Sequence, residues 1–124
     1  MEKPTNINKI IIRSPNWVGD VVMATPAFRC IRENFPDAII TLALKSYIQK
    51  LIEGAPWFDK LILLDSKDRL PGGAQYFPVV KHIRAQKYDL GFLFPNSFSS
   101  AFMFWLGGVK RRVGYKRDAR AWFL

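Results

Sequence analysis

The sequence has few residues that could bind a metal ion or serve as a catalytic nucleophile, because it contains one cysteine, Cys30, and one histidine, His82. A conventional zinc site takes three or four such ligands, and a Ser-His-Asp triad needs a histidine in a suitable place. Since His82 follows Lys81 in the middle of an expected helix, we interpret it as a surface histidine. One cysteine also excludes an intrachain disulfide, and its neighbours Phe28 and Ile31 lead us to expect a buried structural thiol.

Other common signals are missing as well. There is no GxxxxGK[ST] phosphate loop, and no GxGxxG follows the first expected strand. The longest apolar stretch, 92–109, is interrupted by Pro95, Asn96 and several serines, and a membrane span needs roughly 20 apolar residues. The opening MEKPTNINK contains no apolar segment of a signal peptide. We therefore expect a reducing, cytoplasmic location, with peripheral contact at the cytoplasmic face of the inner membrane left open.

What the sequence does have is apolar material and positive charge. Its 124 residues fit one domain, and 49% of them are hydrophobic, which is enough for a real core. The formal net charge is +9, and the stretch 110–120 alone holds six basic residues against Asp118. This excess favours an anionic partner, such as nucleic acid, a phosphorylated small molecule or a membrane surface. The alternative interpretation of the basic stretch is a solvated surface with no fixed partner.

Apolar β-branched runs alternate with segments of helical spacing along the chain. The pattern predicts strands over 9–13, 38–44, 60–65, 89–94 and 111–115, and helices over 20–35, 46–53, 75–86 and 98–106. Strands that are apolar on both faces and alternate with helices indicate an α/β fold, a Rossmann-like doubly wound parallel sheet. Asp20 would be a natural N-cap of the first helix, and Pro26 predicts a kink or a late helix start.

The predicted fold selects a site before any motif is considered, because ligands of open α/β sheets bind outside the carboxyl ends of the strands. The polar and aromatic candidates in the loops at those ends are Asn16, Trp17, Asp20, Lys45, Lys67, Arg69, Asn96 and Ser97. Asp20 has two interpretations. It could simply cap the helix, or it could act as a general base that takes a proton from a substrate hydroxyl.

Several motifs, in order over nearly the whole chain, carry a family resemblance. They are SPNWVGDVVM at 14–23, FPDAII at 35–40, KYD at 87–89, FPNSF at 94–98 and GGVKRRVGY at 107–115, followed by Arg120. In these motifs the chain resembles the lipopolysaccharide heptosyltransferases of glycosyltransferase family 9. The combination of WVGD with a later PNSF is much more specific than a lone glycine motif.

The resemblance implies a GT-B enzyme, in which two Rossmann-like domains face each other across a cleft. Residues 1–124 would be the N-terminal, acceptor-binding domain. The chain stops at Ala-Trp-Phe-Leu, an apolar end, so we expect it to be truncated, with an ADP-heptose-binding domain beyond Leu124. On its own the fragment is then expected to be inactive.

The resemblance also implies a mechanism and a set of site residues. Asp20 matches the aspartate that deprotonates the acceptor hydroxyl in an inverting transfer from ADP-heptose to the anionic inner core of lipopolysaccharide. Neither a cofactor nor a metal ion is expected. The residues that would bind the acceptor are Asn16, Trp17, Lys67, Arg69, Asn96, Ser97 and Arg120.

Two alternatives stay open at this point. One is another glycosyltransferase of the same family with a different acceptor. The other is a basic Rossmann-like module that binds nucleic acid. Against the second, the basic cluster lacks interleaved aromatic residues beyond Tyr115, and the sequence contains no recognised nucleic-acid-binding motif. We therefore expect no nucleic-acid partner.

Overall fold

The computed structural model describes residues 7–15, 17–64, 77–94 and 104–114. Within these residues, strands and helices follow one another much as the sequence pattern predicts. In chain order the elements are β1 (Lys9–Arg13), α1 (Val18–Asn34), β2 (Ile39–Leu44), α2 (Ser46–Ile52), β3 (Lys60–Leu63), α3 (Phe77–Gln86), β4 (Leu90–Leu93) and β5 (Arg111–Gly114).

The five strands form one parallel sheet in the order β3-β2-β1-β4-β5. The central strand β1 pairs with β2 from Lys9↔Ile39 to Arg13↔Ala43 and with β4 up to Arg13↔Leu93. From β1 the chain adds β2 and β3 on one side, and it then crosses over to add β4 and β5 on the other side. The direction of winding therefore reverses, and the switch point lies between the neighbouring strands β1 and β4. The predicted doubly wound parallel sheet is thus confirmed, and its switch point lies where β1 and β4 end.

Helices cover both faces of the sheet, and successive side chains of β1 point alternately into the two cores. Ile10 and Ile12 belong to a core shared with α1 and α2, whereas Ile11 belongs to a core shared with α3. In these cores Phe28 of α1 and Ile83 of α3 are fully buried. Burying one such side chain contributes about 1.5–3 kcal/mol. The central strands are apolar on both faces because each face packs into one of these two cores.

The first helix starts earlier than predicted, and Asp20 is not its N-cap. Trp17 occupies the N-cap position without a side-chain capping bond, and the backbone N–H of Val21 already donates to the carbonyl of Trp17 at 2.9 Å. Asp20 therefore lies in the first turn of α1. The N-cap prediction was wrong because Asp is as favourable in the first turn, near the positive end of the helix dipole, as it is at the cap.

Pro26 lies inside α1, so the predicted late start of the helix is wrong as well. A proline has no N–H to donate to the carbonyl four residues before it, here that of Val22. The hydroxyl of Thr25 donates to this same carbonyl at 2.8 Å and supplies the bond that Pro26 cannot make.

Cys30 is exposed, which corrects the prediction of a buried thiol. Its sequence neighbour Ile31 is buried, as is Phe28 two residues earlier. Adjacent positions on a helix point in directions about 100° apart, so closeness in sequence to buried residues did not place Cys30 on the buried side. His82 is exposed on α3, as predicted.

One glycine allows a close approach that the sequence did not indicate. A Cβ atom on Gly91 of β4 would lie 2.9 Å from side-chain atoms of both Phe104 and Val109. Phe104 is fully buried at this place, so the ring packs directly against the strand backbone. Any larger residue at 91 would force these side chains apart.

Candidate active site at the carboxyl edge of the sheet

The carboxyl ends of the three central strands are tied together by backbone hydrogen bonds. The N–H of Phe94, just after β4, donates to the carbonyl of Arg13 at 3.2 Å. The N–H of Ser14, just after β1, donates to the carbonyl of Ala43 in β2 at 2.9 Å. Because these bonds lie at the switch point of the sheet, the chain leaves β1 at the place where ligands of this fold class bind.

Ser14 is held by three of its own atoms. Besides its N–H, its carbonyl accepts a hydrogen bond from Nη1 of Arg13 at 2.8 Å, and its hydroxyl donates to the carbonyl of Pro15 at 3.0 Å. Ser14 is fully buried and Arg13 nearly so. The start of the loop that leads to Trp17 and Asp20 therefore has a fixed direction. The sequence did not predict that Arg13 takes part in fixing it. A cation at the end of a strand is usually exposed, so the sequence carried no signal of this burial.

Asp20 lies over the carboxyl edge of the sheet. It is on the same side of α1 as Ala24 and Ile31, one and three turns further along, and both of these are buried against the sheet. Asp20 itself is exposed, whereas Val21 in the same turn is fully buried. Among the described residues, its carboxylate makes no hydrogen bond or ion pair. A carboxylate placed in this way can accept a proton from a ligand that binds above the strand ends.

Several large apolar side chains at the start of α1 remain in contact with solvent. Trp17 is 74% exposed and Met23 is 81% exposed, and Val18 and Val22 are about half exposed. Such side chains would normally be buried, and several of them together mark a surface that contacts another molecule or another part of the protein. Trp17, a predicted acceptor-binding residue, is therefore accessible to a ligand.

The other residues predicted to bind the acceptor lie outside the described residues. They are Asn16, Lys67, Arg69, Asn96, Ser97 and Arg120. The structure thus brings together Trp17 and Asp20 on the first turn of α1, and the remaining site residues stay predictions.

Over residues 7–15, 17–64, 77–94 and 104–114, no three His, Cys, Asp or Glu side chains gather in a way that could hold a metal ion. Within the same ranges, every helix is too short or too polar to cross a bilayer.

Comparison with known proteins points to one family. The family model described as Glycosyltransferase family 9 (heptosyltransferase) matches residues 77–124. The lipopolysaccharide heptosyltransferase 2 of Escherichia coli K12 is 26% identical over 112 residues, and the lipooligosaccharide heptosyltransferase 2 of Haemophilus ducreyi is 30% identical over 112 residues. Each match covers 90% of this chain and 32% of the relative. The chain thus spans about a third of the length of the curated relatives that it matches.

Solved structures agree with this assignment. The structure of the E. coli ADP-heptose lipopolysaccharide heptosyltransferase II superimposes with a TM-score of 0.79 and 26% sequence identity, covering 94% of this chain and 33% of that one. A glycosyltransferase of family 9 from Veillonella parvula shares the fold with a TM-score of 0.72, at 20% identity, covering 94% of this chain and 39% of that one. In sequence and fold the chain is similar to the heptosyltransferases of glycosyltransferase family 9, and it has the Rossmann-like architecture of GT-B enzymes.

Proposed function

We propose that the protein containing this chain transfers a heptose from ADP-heptose to the inner core of lipopolysaccharide, with inversion at the anomeric carbon and with Asp20 as general base. The observation that carries the proposal is the position of Asp20, exposed on the first turn of α1 above the switch point of the sheet. The similarity to heptosyltransferases, whose names specify lipopolysaccharide or lipooligosaccharide, supports the choice of donor and acceptor.

The proposed reaction is a single displacement. The Asp20 carboxylate takes the proton of the acceptor hydroxyl while the hydroxyl oxygen forms a bond to the anomeric carbon of the heptose. The bond between that carbon and the phosphate oxygen of ADP breaks at the same time, and ADP leaves with the electron pair. The transition state resembles an oxocarbenium ion, as in glycoside hydrolysis, and attack from the side opposite ADP inverts the configuration.

The local structure favours such a base. The Asp20 carboxylate is not engaged by hydrogen bonds within the described residues, so it does not have to give up a structural partner when it accepts a proton. The fixed start of the loop at Ser14 supports a constant position for the whole turn.

The greater length of the relatives suggests where the donor, ADP-heptose, binds. Since the matched relatives are about three times as long as this chain, we propose that ADP-heptose binds mainly to a part of the protein outside these 124 residues. This chain would then supply the acceptor side and the base, and by itself it would not catalyse transfer.

The proposal is tested by Asp20→Ala and Asp20→Asn in the full-length gene product. Both changes should abolish transfer from ADP-heptose to a purified inner-core acceptor, since neither side chain can take up the proton. Calorimetry should still show ADP-heptose binding, because the donor contacts lie elsewhere. A suitable control is Asp37→Asn, which changes an exposed carboxylate in the turn after α1. If the Asp20 variants retain near-normal turnover, Asp20 is not the base.

The acceptor side of the proposal rests on basic residues. The inner core carries carboxylates and phosphates, and arginine binds such groups with charge-assisted, often bidentate hydrogen bonds. We therefore propose that Arg120, with Lys67 and Arg69, binds the anionic groups of the acceptor. Arg120→Ala should raise the KM for a phosphorylated acceptor by about 10-fold, the loss of one charge-assisted contact. The KM for the dephosphorylated acceptor should change much less. Equal losses for both acceptors would contradict a charge role.

A further inference from the structure

Arg13 is a buried cation at the end of the central strand. It is the last residue of β1 and only 4% exposed, although its neighbours Ile11 and Ile12 in the strand are apolar and fully buried. Taking a guanidinium group out of water is costly unless hydrogen bonds replace the lost hydration. A charge kept in this position therefore has to form bonds with surrounding protein groups.

One of these bonds reaches the loop that leads to the proposed base. Nη1 of Arg13 donates to the carbonyl of Ser14 at 2.8 Å, and Ser14 is further fixed through its N–H and its hydroxyl. Next comes Pro15, whose ring fixes its own φ angle. The path from Ser14 to the first helical residue, Val18, is four residues long, and one end of it is immobilised.

The position of Asp20 follows from this end of the loop. Asp20 lies in the first turn of α1, and its own turn is closed by the bond from the N–H of Val21 to the carbonyl of Trp17. Since only residues 15–17 separate Ser14 from Val18, we expect a change in the direction in which Ser14 leaves the sheet to alter the position of the first turn of α1. Displacing a catalytic group by about 1 Å can cost 100-fold in rate.

We propose that Arg13 is a positioning residue: its guanidinium holds the carbonyl of Ser14 and so keeps the Asp20 carboxylate in the place where it can take the acceptor proton. This inference rests on the function proposed above. A lysine at 13 would keep the positive charge and most of the stem, but it could not reproduce the planar set of donors. A methionine would keep the apolar stem and lose every donor.

The matched control is a second arginine that bonds to backbone carbonyls far from the site. Arg32, at the opposite edge of the sheet, donates to the carbonyls of Phe35 and Ala38 at 2.8 Å and 2.6 Å, and its side chain is 18% exposed. Arg13→Lys, Arg13→Met and Arg32→Lys are compared in the full-length gene product. The thermal midpoint, kcat and both KM values are measured at a temperature at which every variant is folded.

We expect Arg13→Lys to lower kcat by about 10- to 100-fold with little change in either KM, and Arg13→Met to lower it further. Arg32→Lys should lower the thermal midpoint while leaving kcat near the wild-type value. This split between kcat and stability is the readout that a purely structural role of Arg13 would not produce.

Three outcomes would overturn the inference. The first is a kcat of Arg13→Lys equal to that of Arg32→Lys. The second is a loss of kcat that disappears once the folded fraction is taken into account. The third is failure of both Arg13 variants to fold while Arg32→Lys folds, since stability alone would then explain the residue. If the wild-type protein transfers no heptose, the proposed function fails; if it is active and Asp20→Ala is not, an unaffected Arg13→Lys refutes only the role of Arg13.

Discussion

At the amino edge of the sheet two aspartates accept hydrogen bonds from backbone N–H groups, whereas Asp20 at the carboxyl edge accepts none within the described residues. Asp59 accepts from the N–H of Ile40 at 2.8 Å and from Arg32 at 3.0 Å. Asp89 accepts from the N–H groups of residues 8 and 9 at 2.9 Å and 3.1 Å. The two edges therefore use the same side chain for different purposes.

The difference shows which carboxylate is available for chemistry. The N–H of Ile40 and the guanidinium of Arg32 hold the pKa of Asp59 below its usual value and outweigh the opposing effect of partial burial. A carboxylate stabilised as an anion by fixed donors is a weaker base, and protonating it would break structural bonds. Within the described residues the Asp20 carboxylate makes no such bonds.

The two edges also differ in their apolar surface. At the carboxyl edge Trp17 and Met23 are largely exposed, although the chain has two continuous cores in which they could have been buried. Leaving such side chains in water gives up stabilisation. The comparison predicts that changes at the amino edge alter stability and that changes at the carboxyl edge alter activity.

The largest effect on stability is expected from Arg32→Ala. The Arg32 side chain donates to four backbone carbonyls, those of residues 35, 36, 38 and 57, and to the carboxylate of Asp59. Its removal leaves several of these groups without a partner, and we expect a loss of about 2–4 kcal/mol in the free energy of unfolding. Urea denaturation measures this loss. An unchanged free energy of unfolding would show that the hydrogen bonds of Arg32 at the amino edge do not stabilise the fold.

A gain in stability is expected from Trp17→Ser. The N-cap residue of α1 has an extended backbone, with φ −105° and ψ 138°, and makes no side-chain capping bond. A serine there can accept a hydrogen bond from an N–H of the first turn, which typically contributes about 1 kcal/mol, and little packing is lost because Trp17 is 74% exposed. We expect the thermal midpoint to rise and the acceptor KM to increase. Loss of stability with unchanged KM would show that Trp17 serves the fold.

The smallest effect concerns the pH dependence of Asp59. Because its pKa is lower in the folded state than the ordinary value of 3.8, Asp59 stabilises the protein above that pH, and the contribution is lost as the pH falls from 3.8 towards the lower, folded-state pKa. The side chain is 48% exposed, so solvent screening limits the contribution to about 1 kcal/mol. Asp59→Asn should therefore be less stable than the wild type at pH 7, and the difference should shrink below pH 4. A difference that stays constant with pH would contradict this.

The sequence predicts most of the fold because its signals are redundant. The first four strands are short apolar runs next to proline, glycine or charged residues, and the doubly wound topology follows from their alternation with helices. By contrast, α1 starts after an N-cap residue, Trp17, whose side chain makes no capping bond, so no capping residue in the sequence marks its start. The exposure of Cys30 depends on the exact direction of one helical position, and the need for Gly91 depends on a ring thirteen residues away.

The site was predicted only in part, for a physical reason. The general rule for ligand sites in α/β sheets and the family resemblance both select Asp20 and Trp17, since both lie at the end of the first strand. Neither reveals that Arg13 is buried, because a cation at a strand end is exposed in most proteins, whereas here it lies in the central strand between Ala43 and Leu93.

The central claim is that Asp20, whose carboxylate makes no hydrogen bond within the described residues, carries the chemistry, and that the hydrogen-bonded aspartates do not. It is tested most directly by single-turnover transfer of heptose by Asp20→Asn and Asp89→Asn, each in the full-length protein and each normalised to its folded fraction. The account predicts a loss of about 1,000-fold or more for Asp20→Asn, whose free energy of unfolding should stay close to the wild-type value. Asp89→Asn should lose stability and keep its normalised rate. An Asp20→Asn protein that transfers heptose at a rate similar to that of Asp89→Asn would contradict the account.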